Sequence, residues 1–182
     1  MDNVASLKYF TAELALIAGV LLIIVWDLLA KGRAKITGIV AISGVALSIS
    51  AAVGVRALIS EDPPVTLFYG LLAFDRYANL FRVLFAFITA IVILISIPSD
   101  ELAPKSAEDA EDDAKLGPLA RFRRDPGEFF ALLLVLTLGM GLMSSSRNLL
   151  MIYLSLEIVS VLSFVMAGLK FQDAKSSGRA HV

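Results

Sequence analysis

Tyr153, Glu157 and Ser160 fall at i, i+4 and i+7 within an apolar run from Asn148 to Leu169. On a helix that spacing puts all three on one narrow face. A charged side chain near the middle of a membrane span costs roughly 2.5–3.5 kcal/mol on insertion scales, so such residues mark proton or ion paths or are paired inside a bundle. A desolvated carboxylate flanked by hydroxyls can pass a proton to water or to a basic partner, because burial favours its neutral form and a nearby cation its ionised form. The chemistry implied is proton transfer inside a membrane. The alternative is a structural Glu157, hydrogen-bonded across to a neighbouring helix. The polar patch is short, since i+11 is Phe164 and Ser163 points roughly 80° away from Tyr153.

Other charges fall within or beside apolar runs. Asp75, Asn79 and Arg82 share a face at the start of a later run, where Arg82 can snorkel outward or pair within a bundle. Asp75 and Arg82 are thus a candidate intramembrane charge cluster, with helix registration as the other reading. Glu13 and Asp27 bracket the first run at roughly 21 Å of helix rise, less than a hydrocarbon core of about 30 Å. At least one of them must therefore dip toward hydrocarbon or face protein, and a structural role is expected. Glu128 opens another run, where a carboxylate suits the positive end of the helix dipole. Gly139 and Gly141 read as small residues for close helix approach. Trp26, Tyr69 and Tyr77 sit where an aromatic belt would.

The elements that position these groups are membrane spans. Of the 182 residues, 58% are hydrophobic and only 18% charged, with a mean hydropathy of +0.81. Globular domains run at about 45–50% apolar and about 25% charged. A net charge of −1 with dispersed basic residues offers no footprint for nucleic acid. With no cysteine and one histidine, His181, disulfides, iron–sulfur ligation and a Cys/His zinc site are excluded within the chain. No glycine-rich nucleotide motif occurs.

Hydropathy predicts an all-α, polytopic membrane bundle of five spans, over Phe10–Ala30, Ile36–Ile59, Asp75–Ile97, Glu128–Met143 and Asn148–Leu169. The fourth is short unless Ser144 to Ser146 continue it. Pro63-Pro64 points to an irregular loop from Ser60 to Phe74. Lys31, Arg33 and Lys35, then Lys115, Arg121, Arg123 and Arg124, then Lys170, Lys175 and Arg179 share one side. The positive-inside rule makes that side cytoplasmic, with the N-terminus outside and the C-terminus cytoplasmic. No cleavable signal peptide is evident. The organisation is three spans in 1–97, a charged cytoplasmic loop in 98–127, two spans in 128–169 and a cytoplasmic tail in 170–182. The acidic half of the loop reads as solvated and its basic half as lying at lipid headgroups.

The stretches Glu128-Phe129-Phe130-Ala131-Leu132-Leu133-Leu134, Gly139-Met140-Gly141-Leu142-Met143-Ser144-Ser145-Ser146 and Leu149-Leu150-Met151-Ile152-Tyr153-Leu154-Ser155-Leu156-Glu157-Ile158-Val159-Ser160 resemble the N-terminal region of subunit N of respiratory complex I, the NADH-quinone oxidoreductase. Leu72-Ala73-Phe74-Asp75-Arg76-Tyr77-Ala78 and the span from Glu13 to Asp27 look like it too. The resemblance covers the chain up to about Ser177. It implies a membrane subunit of a proton-pumping translocase without its own cofactor, with NADH, quinone, FMN and iron–sulfur clusters on partner subunits. It places Glu157 as the glutamate that pairs with a lysine on a later helix. It further implies neighbouring antiporter-like and small helical subunits as partners, the lipid bilayer as surroundings, and a bacterial plasma membrane as location. The family has about fourteen helices, whereas five are read here, and Gly178 to Val182 depart from its pattern, so the chain reads as a truncated or frameshifted product inactive by itself. Competing readings are a standalone five-helix scaffold or assembly protein and part of a cation/proton antiporter subunit.

Overall fold

The computed structural model describes residues 3–30, 33–60, 63–96 and 126–171. Its helices are α1 (Asn3–Tyr9), α2 (Thr11–Leu29), α3 (Arg33–Ile59), α4 (Arg76–Ser96), α5 (Pro126–Ser145) and α6 (Leu149–Phe171). All but α1 are long and apolar enough to cross a membrane, so the five expected spans are present. The charged loop up to residue 125 and the tail from residue 172 lie outside the described residues.

Helices α2, α3, α4 and α5 form a four-sided bundle in which each packs on its two neighbours, with a weaker diagonal contact between α3 and α5. Helix α6 is added on the far side of α5. The core joins Leu16 and Ile23 of α2, Ile39 and Leu47 of α3, Ala86 and Ile93 of α4, and Phe129, Phe130 and Leu134 of α5. Helix α5 is apolar all round, as suits a helix enclosed by others. Of its apolar window 44% is buried, against 6% for α6, which leaves most of α6 facing away from the bundle. Outward-facing Leu21, Leu22, Ile24, Phe87 and Ile95 are exposed, the surface expected of helices solvated by lipid.

Two helix starts reflect local chemistry. Asp75 caps α4 by accepting the Ala78 N–H at 2.8 Å, and Asn148 caps α6 by accepting the Leu150 N–H at 3.0 Å, each removing an orphan donor. At the end of α5 the hydroxyls of Ser144, Ser145 and Ser146 bond back to the carbonyls of Gly141 and Leu142. They carry α5 beyond the short span expected from hydropathy, to Ser145.

The expected irregular loop contains regular structure. Strands β1 (Val65–Leu67) and β2 (Leu72–Phe74) pair antiparallel, with Val65 opposite Phe74 and Leu67 opposite Leu72. Pro63-Pro64 precede the hairpin rather than interrupting it. The connection turns through three successive left-handed residues, Phe68 (φ 49°), Tyr69 (φ 57°) and Gly70 (φ 92°). The hairpin is tied to one end of the bundle. The Phe68 N–H donates to buried Ser6 Oγ at 3.2 Å, and Tyr9 and Phe10 pack on Phe74 and Phe68 at 5.3 Å. The Arg147 N–H reaches the Leu71 carbonyl at 3.0 Å.

Candidate functional site

Glu157 lies in the middle of α6 and is exposed, as is Tyr153, while Ser160 is half-buried. The helix period explains this placement. The side of α6 that meets α5 carries Ser155, which is 1% exposed, together with Ile158 and Val159, which pack at Gly139. Two residues past Ser155 is a rotation of about 200°, so Glu157 points away from the bundle, and Tyr153 and Ser160, about 160° and 140° from Ser155, lie on the same side of the helix. Among the described residues, no ion pair joins Glu157 to a cation.

The second set of charges is assembled inside the bundle. Arg82 of α4 forms an ion pair with Glu13 of α2, both side chains being less than a tenth exposed. One guanidinium nitrogen donates to Glu13 Oε1 and the other to Asn79 Oδ1. Asn79 in turn donates to the Asp75 carbonyl at 2.8 Å, so Asp75 meets the cluster through its main chain while its carboxylate caps α4. Phe74, the last hairpin residue, lies under the guanidinium at 5.7 Å, within cation–π range. Of the two outcomes open for Arg82, snorkelling and pairing, the fold adopts pairing. The partner is Glu13, not Asp75.

In the sequence Glu13 and Arg82 stand as separate features, 69 residues apart. The signal joining them is depth: Glu13 lies two residues into α2 and Arg82 six residues into α4, and the first and third spans of an up-down bundle start from the same end. A charge-assisted, hydrogen-bonded pair meets the requirement that buried charges be matched. Its chemistry is anchoring: a guanidinium does not give up its proton in proteins, so the pair ties α2 to α4.

Nearer the middle of the bundle the Thr89 and Thr137 hydroxyls meet at 2.6 Å, and Thr137 Oγ1 also contacts the Leu133 carbonyl at 2.8 Å. Nothing in the sequence pattern singled out this bond between α4 and α5. At the other end of the bundle Asp27 and Lys35 pair at 2.9 Å across the α2–α3 connection, and the Asp27 carboxylate lies against Gly127 at the start of α5. Trp26 Nε1 donates to the Ala34 carbonyl at 3.3 Å. Of the two glycines expected to allow close approach, Gly139 does so, since a Cβ there would meet Ile158 at 3.0 Å, whereas one at Gly141 would meet nothing within 4 Å. Among the described residues no group of three or more His, Cys, Asp or Glu side chains could hold a metal ion.

Comparison with curated proteins connects this arrangement to known sequences. NADH-quinone oxidoreductase subunit N 2 of Sorangium cellulosum is 51% identical over 180 residues, which is 99% of this chain and 33% of the relative. Subunit N of Anaeromyxobacter sp. is 33% identical over 177 residues, 97% of this chain and 30% of the relative. Subunit N of Dehalococcoides mccartyi is 31% identical over 169 residues, 92% of this chain and 30% of the relative. No family model matches the chain, and no solved structure matches it significantly. The chain spans about a third of the length of the curated relatives it matches. Over nearly its whole length, this five-span membrane chain is a homologue of NADH-quinone oxidoreductase subunit N.

Proposed function

We propose that the chain forms part of a membrane subunit of a proton-pumping NADH-quinone oxidoreductase, in which Glu157 takes up and releases protons within the bilayer while redox chemistry runs on partner subunits. One observation carries the reading. Glu157 sits mid-span on α6 and is turned away from the bundle. Facing lipid, its carboxylate would cost roughly 2.5–3.5 kcal/mol. A further helix of the parent protein, bringing the lysine that the family resemblance implies, removes that penalty by pairing. Tyr153 and Ser160, on the same side of α6, supply hydroxyls that can relay a proton to and from the pair.

The energy scale fits the task. Moving one charge against 100 mV takes about 2.3 kcal/mol, so a change in how closely a cation approaches a desolvated carboxylate is large enough to drive uptake and release. The Glu13–Arg82 pair, closed within α2 and α4, holds the scaffold on which α5 and α6 stand. In this reading residues 1–97 are that scaffold and residues 128–169 begin the proton-translocating module. NADH, quinone, FMN and iron–sulfur clusters belong to partner subunits, and antiporter-like and small helical subunits are the neighbours. The N-terminus lies outside and the C-terminus in the cytoplasm of a bacterial plasma membrane, as supported by the basic residues at the α2–α3 connection, Lys31, Arg33 and Lys35.

The test is Glu157→Gln in the whole subunit, assembled with its partners. Proton translocation driven by NADH oxidation falls while assembly is retained. Loss of assembly with normal translocation in the remaining complex would instead assign Glu157 a structural role.

A further inference from the structure

Between α2, α3, α4 and α5 lies a cavity of about 10 Å³, lined by Glu13, Ser50, Arg82 and Thr137 together with apolar Leu16 and Phe85. That volume is about the space needed by one water molecule. Apolar cavities of this kind stay dry, but this one has polar groups on several sides. Glu13 is 3% exposed, Ser50 1%, Thr137 3% and Arg82 6%. Arg82 satisfies Glu13 Oε1, whereas Oε2 is buried and, among the described residues, has no protein hydrogen-bond partner.

The geometry points to a binding site for a single structural water in this cavity, held by Glu13 Oε2 and by the Ser50 and Thr137 hydroxyls. Counting donors and acceptors supports the assignment. Thr137 has one O–H and two lone pairs. When it donates to the Leu133 carbonyl, Thr89 donates to Thr137, and one Thr137 lone pair remains. Water can give one proton to Glu13 Oε2 and the other to that lone pair, while Ser50 donates to the water oxygen. The result is three hydrogen bonds, the usual number for a buried water. An uncompensated carboxylate oxygen in a low-dielectric interior is costly, and among the described residues no protein donor fills this one. The water therefore completes the Glu13–Arg82 pair and links it to the Thr137–Thr89 hydroxyls, joining α2, α3, α4 and α5 through one polar network. This site involves none of the groups around Glu157 and stands whether or not Glu157 carries protons.

The experiment is a water-resolving density map of the assembled membrane complex containing this chain, paired with infrared spectra recorded in H₂¹⁶O and H₂¹⁸O. The expected result is a density peak about 2.7–3.2 Å from Glu13 Oε2 and within reach of Ser50 or Thr137, with an isotope-shifted O–H band that disappears in Ser50→Val. That variant fills the space with a methyl group and removes a hydroxyl. Displacing the water lowers the thermal midpoint by about 2–4 °C, whereas filling a dry cavity would raise it. An empty cavity in the wild-type map, or a Ser50→Val protein that keeps the band or gains stability, overturns the proposal. Should Ser50→Val fail to assemble, the wild-type map alone decides.

Discussion

Arg82 and Glu13, 69 residues apart in sequence, form a closed ion pair inside the bundle, with Asn79 beside the guanidinium and Phe74 beneath it. Breaking such a pair from one side leaves a buried charge unmatched, which costs about 3–5 kcal/mol. Glu13→Gln and Arg82→Met are each expected to destabilise the subunit by about that much. The double variant should recover most of the loss, because no orphan charge remains. Unfolding midpoints of the four proteins in detergent check this, and simple additivity of the two single losses would contradict it.

The Thr89–Thr137 bond predicts a smaller coupling. Hydrogen bonds between membrane helices average about 0.6 kcal/mol in double-mutant cycles, with a maximum of about 1.7. Thr89→Val and Thr137→Val should couple within that range, measured by the same unfolding assay. A coupling of zero would mean that the two hydroxyls are satisfied separately.

Helix spacing gives a contrast between two glycines. A Cβ at Gly139 would press on Ile158 and Val159 at 3.0 and 3.1 Å, so Gly139→Val should separate α5 from α6 and cost about 1–3 kcal/mol, the range for overpacking. At Gly44, within α3, an added Cβ meets nothing within 4 Å. Gly44→Ala should therefore stabilise by up to about 1 kcal/mol through helix propensity. Thermal unfolding of both variants tests the pair of signs.

The hairpin stores strain that a substitution can release. Tyr69 holds φ at 57° while the residue is 82% exposed, so it bears a left-handed penalty of about 1–2 kcal/mol with little packing in return. Tyr69→Asn, a residue that tolerates this region, should be neutral or stabilising by up to about 1 kcal/mol. A marked loss in midpoint would show that the ring is held by a contact not provided by the hairpin itself.

The spans were legible because an apolar run of about 20 residues has few other fates, whereas the caps were not: Asp75 read as half of a charge cluster, and its carboxylate instead accepts the Ala78 N–H at the start of α4. The hairpin was hidden by Pro63-Pro64, a breaker signal that marks where regular structure pauses and carries no information on how Val65–Leu67 and Leu72–Phe74 pair beyond it. The Glu13–Arg82 pair was hidden for a different reason. Helical periodicity gives the face of one helix but not which helix lies opposite, and the four-sided arrangement that brings α2 to α4 is a tertiary outcome. Glu157 was legible as an intramembrane carboxylate on a face with Tyr153. Its direction, away from α5, depended on the burial of Ser155 and on Gly139 admitting Ile158 and Val159.

The most direct test of proton transfer at Glu157 is the number of protons translocated per NADH oxidised by the complete complex in sealed vesicles, comparing wild type with Glu157→Gln. A severalfold fall in translocation is expected, with subunit assembly and NADH oxidation by an artificial acceptor unchanged. An unaltered proton yield in the assembled Glu157→Gln complex would contradict a proton-carrying role for this carboxylate.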